Sequence, residues 1–339
     1  MQLEKRLDVL VQLGDYLKAQ SEELKYAMLK SKAENAWFTI ENIEQSLEAI
    51  ADNFLNREKL TTWLERYPNW QEPQSPKKIG LILAGNIPLV GFHDVLCVFV
   101  GGHHAKVKTS SKDDFLMKHL IQVLGDIEPE CHKRIELIER LENFDAVIAT
   151  GSSNSNRYFE HYFGKYPHIL RKNRNSIGIL TGKESAEDLQ NLGKDVFNYF
   201  GLGCRNVSKL YVPKDYDFPF LLDNWQPHSD VQFHNKYKNN FDYQFSLLLL
   251  NQTPHYVSKF VMLTERESIV SAISVVHYEC YEEESQWRES LSINADKIQC
   301  VVGDTKQFPD LLPFGKAQAP ELWEYADGVD VMAFFGDLK

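Results

Sequence analysis

The sequence has no apolar run long enough to cross a bilayer. Its longest candidates, residues 247–250 and 89–100, fall well short of the roughly 20 residues a spanning helix needs. The N-terminus is polar from Gln2 onward and has no signal-peptide apolar stretch, so a cytoplasmic location is expected. Basic residues are in the minority: 37 Lys and Arg against 48 Asp and Glu give a net charge of −11. That balance argues against a general nucleic-acid binder, yet leaves room for an anionic substrate in a local basic pocket. The five cysteines, Cys97, Cys131, Cys204, Cys280 and Cys300, are odd in number, widely spaced and form no CxxC pair. This excludes a disulfide framework and a zinc set. The eleven histidines are scattered, with His103-His104 adjacent, so no metal is expected. A GxGxxG fingerprint is absent, which disfavours an ordinary Rossmann dehydrogenase.

What is present is globular. Hydrophobic residues make up 43% and charged residues 25%, enough for a real core, and 339 residues suggest two or three domains. Residues 1 to about 70 read as helix: Leu3, Leu7 and Leu10 share one face, and Ile40, Ile43, Leu47, Ile50 and Phe54 make a second stripe, with Thr39 as a cap. A proline-rich stretch at 68–76 marks a boundary. Beyond it, short apolar runs at 79–84, 105–108, 145–149 and 176–180 read as strands, alternating with helices at 89–100, 113–124, 134–141 and 186–200. Such alternation implies an α/β fold with a parallel sheet. Further strands are expected at 210–213, 245–250, 260–263, 273–278 and 298–302.

Four segments carry chemistry. In Gly201-Leu202-Gly203-Cys204-Arg205-Asn206 a glycine precedes a cysteine in a turn; the thiol is either presented in the open, with Arg205 favouring the thiolate, or packed after a helix. Asn86, in Ala84-Gly85-Asn86-Ile87-Pro88 at a strand end, is either a donor to a developing oxyanion or a turn residue. Lys106-Val107-Lys108-Thr109-Ser110-Ser111 follows a strand and suits a nucleotide's ribose or phosphate, or is a solvated loop. Thr150-Gly151-Ser152-Ser153-Asn154, between a strand and a helix, suits a pyrophosphate.

The order of these four segments resembles the aldehyde dehydrogenase superfamily. More narrowly, the chain is similar to the acyl-CoA reductases related to the fatty-acid reductase of bacterial bioluminescence, from about residue 35 to the end; Trp37-Phe38-Thr39 and Phe314-Gly315-Lys316-Ala317-Gln318-Ala319-Pro320-Glu321-Leu322 also match. The resemblance implies an aldehyde dehydrogenase-like fold: an N-terminal helical region (1–75), a Rossmann-like cofactor domain (76–200), a catalytic domain (201–310) and a C-terminal segment (311–339) that could pair copies of the chain. It implies Cys204 as nucleophile and Asn86 as oxyanion donor. It places Lys108 at the adenosine ribose, Gly151 and Ser152 at the pyrophosphate, and Glu267 at the nicotinamide ribose. Ser111 stands where NAD-preferring members carry a glutamate, which leaves space for a 2′-phosphate, so NADPH is expected, with NADH as the alternative. Arg171-Lys172-Asn173-Arg174-Asn175 replaces the segment that holds a glutamate base in hydrolytic members; the arginines either attract the phosphates of coenzyme A or form a solvated loop. The implied activity is reduction of a fatty acyl-CoA to the aldehyde through an acyl-Cys204 thioester, with a homodimer as a further expectation. The rivals are an acyltransferase or thioesterase that uses no hydride, and a non-catalytic partner subunit.

Overall fold

The chain begins with four helices, three of which open on a side-chain cap: α1 (Leu3–Ala19), α2 (Glu22–Glu34), α3 (Ile40–Ala49) and α4 (Arg57–Glu65). Ser21, Thr39 and Asn56 each accept a backbone N–H three residues on, which satisfies a donor the first turn leaves unpaired. These assignments come from a computed structural model that describes residues 1–151 and 153–338.

An α/β segment follows: β1 (Lys78–Ile82), α5 (Phe92–Val100), β2 (His104–Lys108), α6 (Phe115–Ile127), the short turn α7 (Cys131–Arg134), β3 (Ile135–Leu137), β4 (Ala146–Thr150), α8 (Ser153–Phe163) and β5 (His168–Arg171). Its five strands are parallel, in the order β3-β2-β1-β4-β5. The central strands β1 and β4 are buried along almost their whole length, as a sheet covered on both faces requires.

A second sheet is built from β6 (Asn175–Ile179), β7 (Val207–Pro213), β8 (Tyr256–Val257), β9 (Met262–Glu265), β10 (Val275–Tyr281), β11 (Ile298–Gly303) and β12 (Leu312–Pro313), in the order β12-β11-β6-β7-β10-β9-β8. All its pairings are parallel except β8 with β9. The helices α9 (Ala186–Phe197), α10 (Phe218–Asn224), α11 (Asn235–Leu250) and α12 (Glu284–Ile293) connect these strands, and α13 (Val331–Gly336) ends the chain.

Two compact units result, Met1–Asn173 with Pro320–Lys339, and Arg174–Ala319. The expected partition at 75, 200 and 310 is therefore redrawn. The N-terminal helices do not stand apart: Leu7, Leu10, Leu13, Ile43 and Trp63 share one core with Ile79, Val107 and Leu120. The second unit starts at β6, ahead of the cysteine.

Several elements differ from the sequence reading. Residues 134–141 are not a helix: a single turn passes into the edge strand β3, where Ile135 is buried and Leu137 exposed. Residues 245–250 are the last turns of α11 and not a strand; Leu248 is buried while Leu249 and Leu250 face solvent, the helical period that a short leucine run conceals. β5 went unseen because only two of its four residues, Ile169 and Leu170, are apolar. The C-terminal segment expected to pair copies of the chain contains the helix α13, with Val331, Met332 and Phe335 in the core of the first unit. Among the described residues, no helix is long and apolar enough to cross a membrane.

Arg171, at the end of β5, is buried and forms an ion pair with the equally buried Asp94 of α5. Removing one partner strands the other charge away from water. Arg171→Ala should cost about 3–5 kcal/mol, read as a fall in the urea midpoint. Arg171→Met combined with Asp94→Leu should recover most of that loss, and recovery no better than the single variant would rule out the stranded charge as its cause.

Candidate active site

Cys204 lies in the turn between α9 and β7, half-exposed, just ahead of a strand flanked on both sides in the seven-stranded sheet. The chain reaches it by three successive left-handed residues, Tyr199 (φ 53°), Phe200 (φ 58°) and Gly201 (φ 77°). For bulky side chains that conformation costs roughly 1–3 kcal/mol each, so something must hold it. Both aromatic residues are buried, and the Phe200 ring packs 4.2 Å from the His234 ring, centre to centre.

The main hold is Asn206, 1% exposed. Its Oδ1 accepts the Gly203 N–H at 2.8 Å, and its Nδ2 donates to the carbonyls of Asp195 (3.1 Å), Val196 (3.4 Å) and Asn198 (2.7 Å). The last carbonyls of a helix have no partner within it; here one carboxamide serves those at the end of α9 and fixes the residue before the cysteine. From β6, the Ser176 hydroxyl donates to the Cys204 carbonyl at 3.2 Å and lies 3.0 Å from the Cys300 sulfur.

The segment after β12 is tied to the same helix. Asp195 is fully buried, and its two carboxylate oxygens accept the N–H groups of Gly315 (2.6 Å) and Ala317 (3.0 Å). Burial pushes its pKa up to about 7 against the pull of those bonds. The Arg205 guanidinium points to the Ala317 carbonyl at 3.4 Å. The Phe314–Ala319 stretch noted in the sequence thus packs beside the cysteine turn. Glu267 lies in the β9–β10 connection of the same unit with its side chain exposed, and its carbonyl accepts a hydrogen bond from Lys209.

In the first unit, the strand order reverses direction between β1 and β4, and such a switch point opens a crevice at the strands' C-terminal ends. Turns bearing expected site residues follow both strands. After β1 come Gly85 and the half-buried Asn86; after β4 comes Gly151. A Cβ on Gly85 would fall 2.7 Å from the Ser110 side chain, so this turn lies directly against the loop after β2. Lys108, the last residue of β2, is exposed, as is Ser111 in that loop. A Cβ on Gly151 would fall 2.7 Å from the Phe159 ring and 2.8 Å from Ser155, both on α8. Ser152, expected beside it at the pyrophosphate, lies outside the described residues.

Asp113 braces the Asn86 turn. Its Oδ2 accepts the N–H of Leu89 at 2.6 Å, and Leu89 is left-handed at φ 55°. Its Oδ1 is buried without a hydrogen-bond partner, and burial pushes the group up to about 7.

Residues 11–218 match the acyl-CoA reductase (LuxC) family. The chain belongs to that family. It is 22% identical over 234 residues to the long-chain acyl-protein thioester reductase of Aliivibrio fischeri, a match covering 63% of this chain and 48% of that protein. The chain thus spans about half the length of that curated relative. The fold is that of the aldehyde dehydrogenases. Aldehyde dehydrogenase 21 from Physcomitrella patens, solved with succinate, aligns with a TM-score of 0.69 and 13% identity, covering 100% of this chain and 85% of its own. Glyceraldehyde-3-phosphate dehydrogenase from Methanocaldococcus jannaschii, complexed with NADP, aligns with a TM-score of 0.64 and 14% identity, covering 94% and 79%.

The first unit of this reductase-family chain fits a dinucleotide. A backbone turn with no side chain at Gly151 leads into α8, whose N-terminal dipole favours phosphate, and Lys108 ends the neighbouring strand but one. The stretch in place of the hydrolytic glutamate reads differently in three dimensions. Arg171 is locked to Asp94, and Arg174 donates to the carbonyls of Ala295 and Ile298 at 3.1 Å each. Arg171 therefore does not reach coenzyme A phosphates from its buried position, and Arg174 serves a backbone role. Among the described residues, no group of three or more His, Cys, Asp or Glu side chains is placed to hold a metal.

Asn206, Ser176, Asp195 and Asp113 went unnoticed as site-building residues in the sequence. The one local signal was an asparagine two positions after the cysteine; the others are brought in by tertiary packing. Asp113 has a pH signature. Its folded pKa of about 7 lies above its ordinary 3.8, so its contribution to stability is complete below about pH 4 and is lost as pH rises through about 7. Asp113→Asn keeps an acceptor for Leu89 and removes the titration. The variant should lose less stability than wild type between those pH values in urea unfolding. Equal losses would show that Asp113 does not carry the proton.

Proposed function

We propose that the chain reduces fatty acyl thioesters to aldehydes, with Cys204 as the acyl acceptor and a reduced nicotinamide dinucleotide as the electron source. The observation that carries this reading is the half-exposed thiol on a turn cinched by Asn206 beside a central strand. A cysteine kept only for packing would not need three left-handed residues and a buried carboxamide to bring it there. The family membership and the aldehyde dehydrogenase fold support the same reading.

In this scheme the Cys204 thiolate attacks the thioester carbonyl, the donor thiolate departs, and the acyl group is left on sulfur. The Asn86 carboxamide is assigned the oxyanion on the strength of the family resemblance. A reduced dinucleotide, which Lys108, Gly151 and Glu267 would hold, would supply the hydride that the acyl carbon needs, and the Cys204 sulfur is the group that would leave as the aldehyde is released. The 171–175 stretch holds no carboxylate to activate water, and absence of a general base slows hydrolysis by about 10²–10⁴-fold. That protects an acyl-cysteine until it is reduced. We take acyl-CoA as the donor; the name of the Aliivibrio fischeri relative specifies an acyl-protein thioester, so an acylated protein is the competing donor.

The test is NADPH oxidation with a panel of acyl-CoAs and an acylated carrier protein, with thiol release recorded in parallel. Both signals should appear together, and both should vanish in Cys204→Ala. Aldehyde formation by that variant near the wild-type rate would sink the assignment. Thiol release with no nicotinamide consumed would make the protein an acyl-transfer enzyme, and neither signal with any donor would point to a partner subunit.

Cofactor choice has its own variant. A carboxylate near a 2′-phosphate costs about 1–4 kcal/mol at 4 Å. Ser111→Glu should therefore raise the KM for NADPH on the order of tenfold and spare NADH. An equal effect on both cofactors would remove Ser111 from the ribose site.

A further inference from the structure

The connection between β9 and β10 is unusual. The two strands are adjacent and parallel, Val275 pairing with Met262, yet only residues 266–274 join them. Parallel neighbours ordinarily need a crossover of a dozen or more residues. A chain this short has no room for a helix and must return as an irregular strap. Backbone carbonyls in such a strap have no ladder to join, and each needs a donor.

Three successive carbonyls receive one from buried side chains. Lys209 Nζ donates to the Glu267 carbonyl at 2.5 Å, His277 Nδ1 to the Ser268 carbonyl at 2.7 Å, and Ser208 Oγ to the Ile269 carbonyl at 2.7 Å. Lys209 is 1% exposed, and its charge is met by Glu279. Lys209 and His277 are register partners on β7 and β10, so their side chains leave the sheet on one face. Ser208 would point to the opposite face in a regular strand. It falls in a bulge, since Ser176 pairs with Val207 and Ile177 with Lys209. A bulge re-aims a side chain, which accounts for two consecutive residues reaching the same strap. With its carbonyls held by side chains of the sheet, the strap leaves the side chains of Glu267 and Ser268 exposed.

We propose that Lys209, Ser208 and His277 are positioning residues that pin the 266–270 strap so that Glu267 is presented, preorganised, to the hydroxyls of the dinucleotide. The inference rests on the reductase reading for the identity of that ligand. It makes β7 a common rail: the strand that begins just after the Cys204 turn carries, at its second and third residues, two of the three pins. Nucleophile turn and cofactor carboxylate are then held to one strand, which limits their drift relative to each other. A lysine used solely to neutralise Glu279, itself one-third exposed, would not need to be buried or aimed at a carbonyl.

The test uses the full chain in two measurements that do not require turnover, and one that does. Hydrogen exchange of the 266–270 amides is measured without ligand, NADPH affinity by fluorescence titration, and KM and kcat by NADPH oxidation. Ser208→Ala and Lys209→Met should each speed exchange in the strap and weaken NADPH about 2- to 10-fold, the effect of one lost hydrogen bond. The change should fall on KM for NADPH more than on kcat for saturating cofactor, and Lys209→Arg should restore part of it. Glu267→Gln should weaken NADPH similarly, and Lys209→Met added to it should do little more, because the lysine acts through the glutamate. Ser208→Ala, which removes a single hydroxyl, keeps the test available should Lys209→Met fail to fold. Wild-type NADPH binding that is unchanged in Ser208→Ala and Glu267→Gln overturns the inference and leaves the reductase reading standing. Wild-type NADPH binding with the expected losses, but no thioester reduction, overturns the reductase reading and upholds the pins. Absence of both NADPH and NADH binding in the wild type overturns both.

Discussion

Asn206 carries the geometry on which the Cys204 turn depends. A helix ends at Phe197, and the chain must pass from it into a central strand while leaving Cys204 half-buried. It does so through left-handed backbone at Tyr199, Phe200 and Gly201, and only glycine adopts that conformation without strain. One buried carboxamide offsets the strain by accepting from Gly203 and donating to the end of α9. An apolar residue at 206 would leave those carbonyls without a donor. Strain at a functional residue persists where its surroundings over-determine it, and here the surroundings are named: Asn206, Ser176 from β6, and the rings around Phe200.

The first unit solves a different problem, that of close packing at the ends of its strands. Gly85 and Gly151 sit where a side chain would strike Ser110 or Phe159. Gly85 lets the turn after β1 lie against the loop after β2, and Gly151 lets the end of β4 lie against α8. Asp113 holds the turn after β1 by a hydrogen bond to Leu89, at the cost of burying a carboxylate. Asp195 does the like in the second unit for Gly315 and Ala317. Both are acids that burial pushes toward neutrality, and both brace a loop.

Much of this was legible in the residues. The buried strand at 79–84, the strand ending at Lys108 and the strand before Thr150 were read within a residue or two, because continuous apolar runs flanked by turn residues have few other uses. Thr39 was read as a cap and is one. The glycine before the cysteine, Gly85 and Gly151 were read as turn residues, and each lies in a connection between a helix and a strand. Misreadings occurred where local pattern is ambiguous. Four leucines at 247–250 fit a strand or a helix end equally.

By itself the sequence determined the alternation of strand and helix, the family, and which turns bear the candidate chemical groups, since each of these is written in spacing over a few dozen residues. Tertiary structure alone decided what holds those groups. Arg171 reads as a surface cation and is a buried partner of Asp94, 77 residues away. Lys209 lies just ahead of the strand expected at 210–213, and it is buried and donates to a carbonyl 58 residues on. Such roles depend on which polar atom lacks a partner once the backbone is folded, and unpaired atoms exist only after the chain has been brought together in three dimensions.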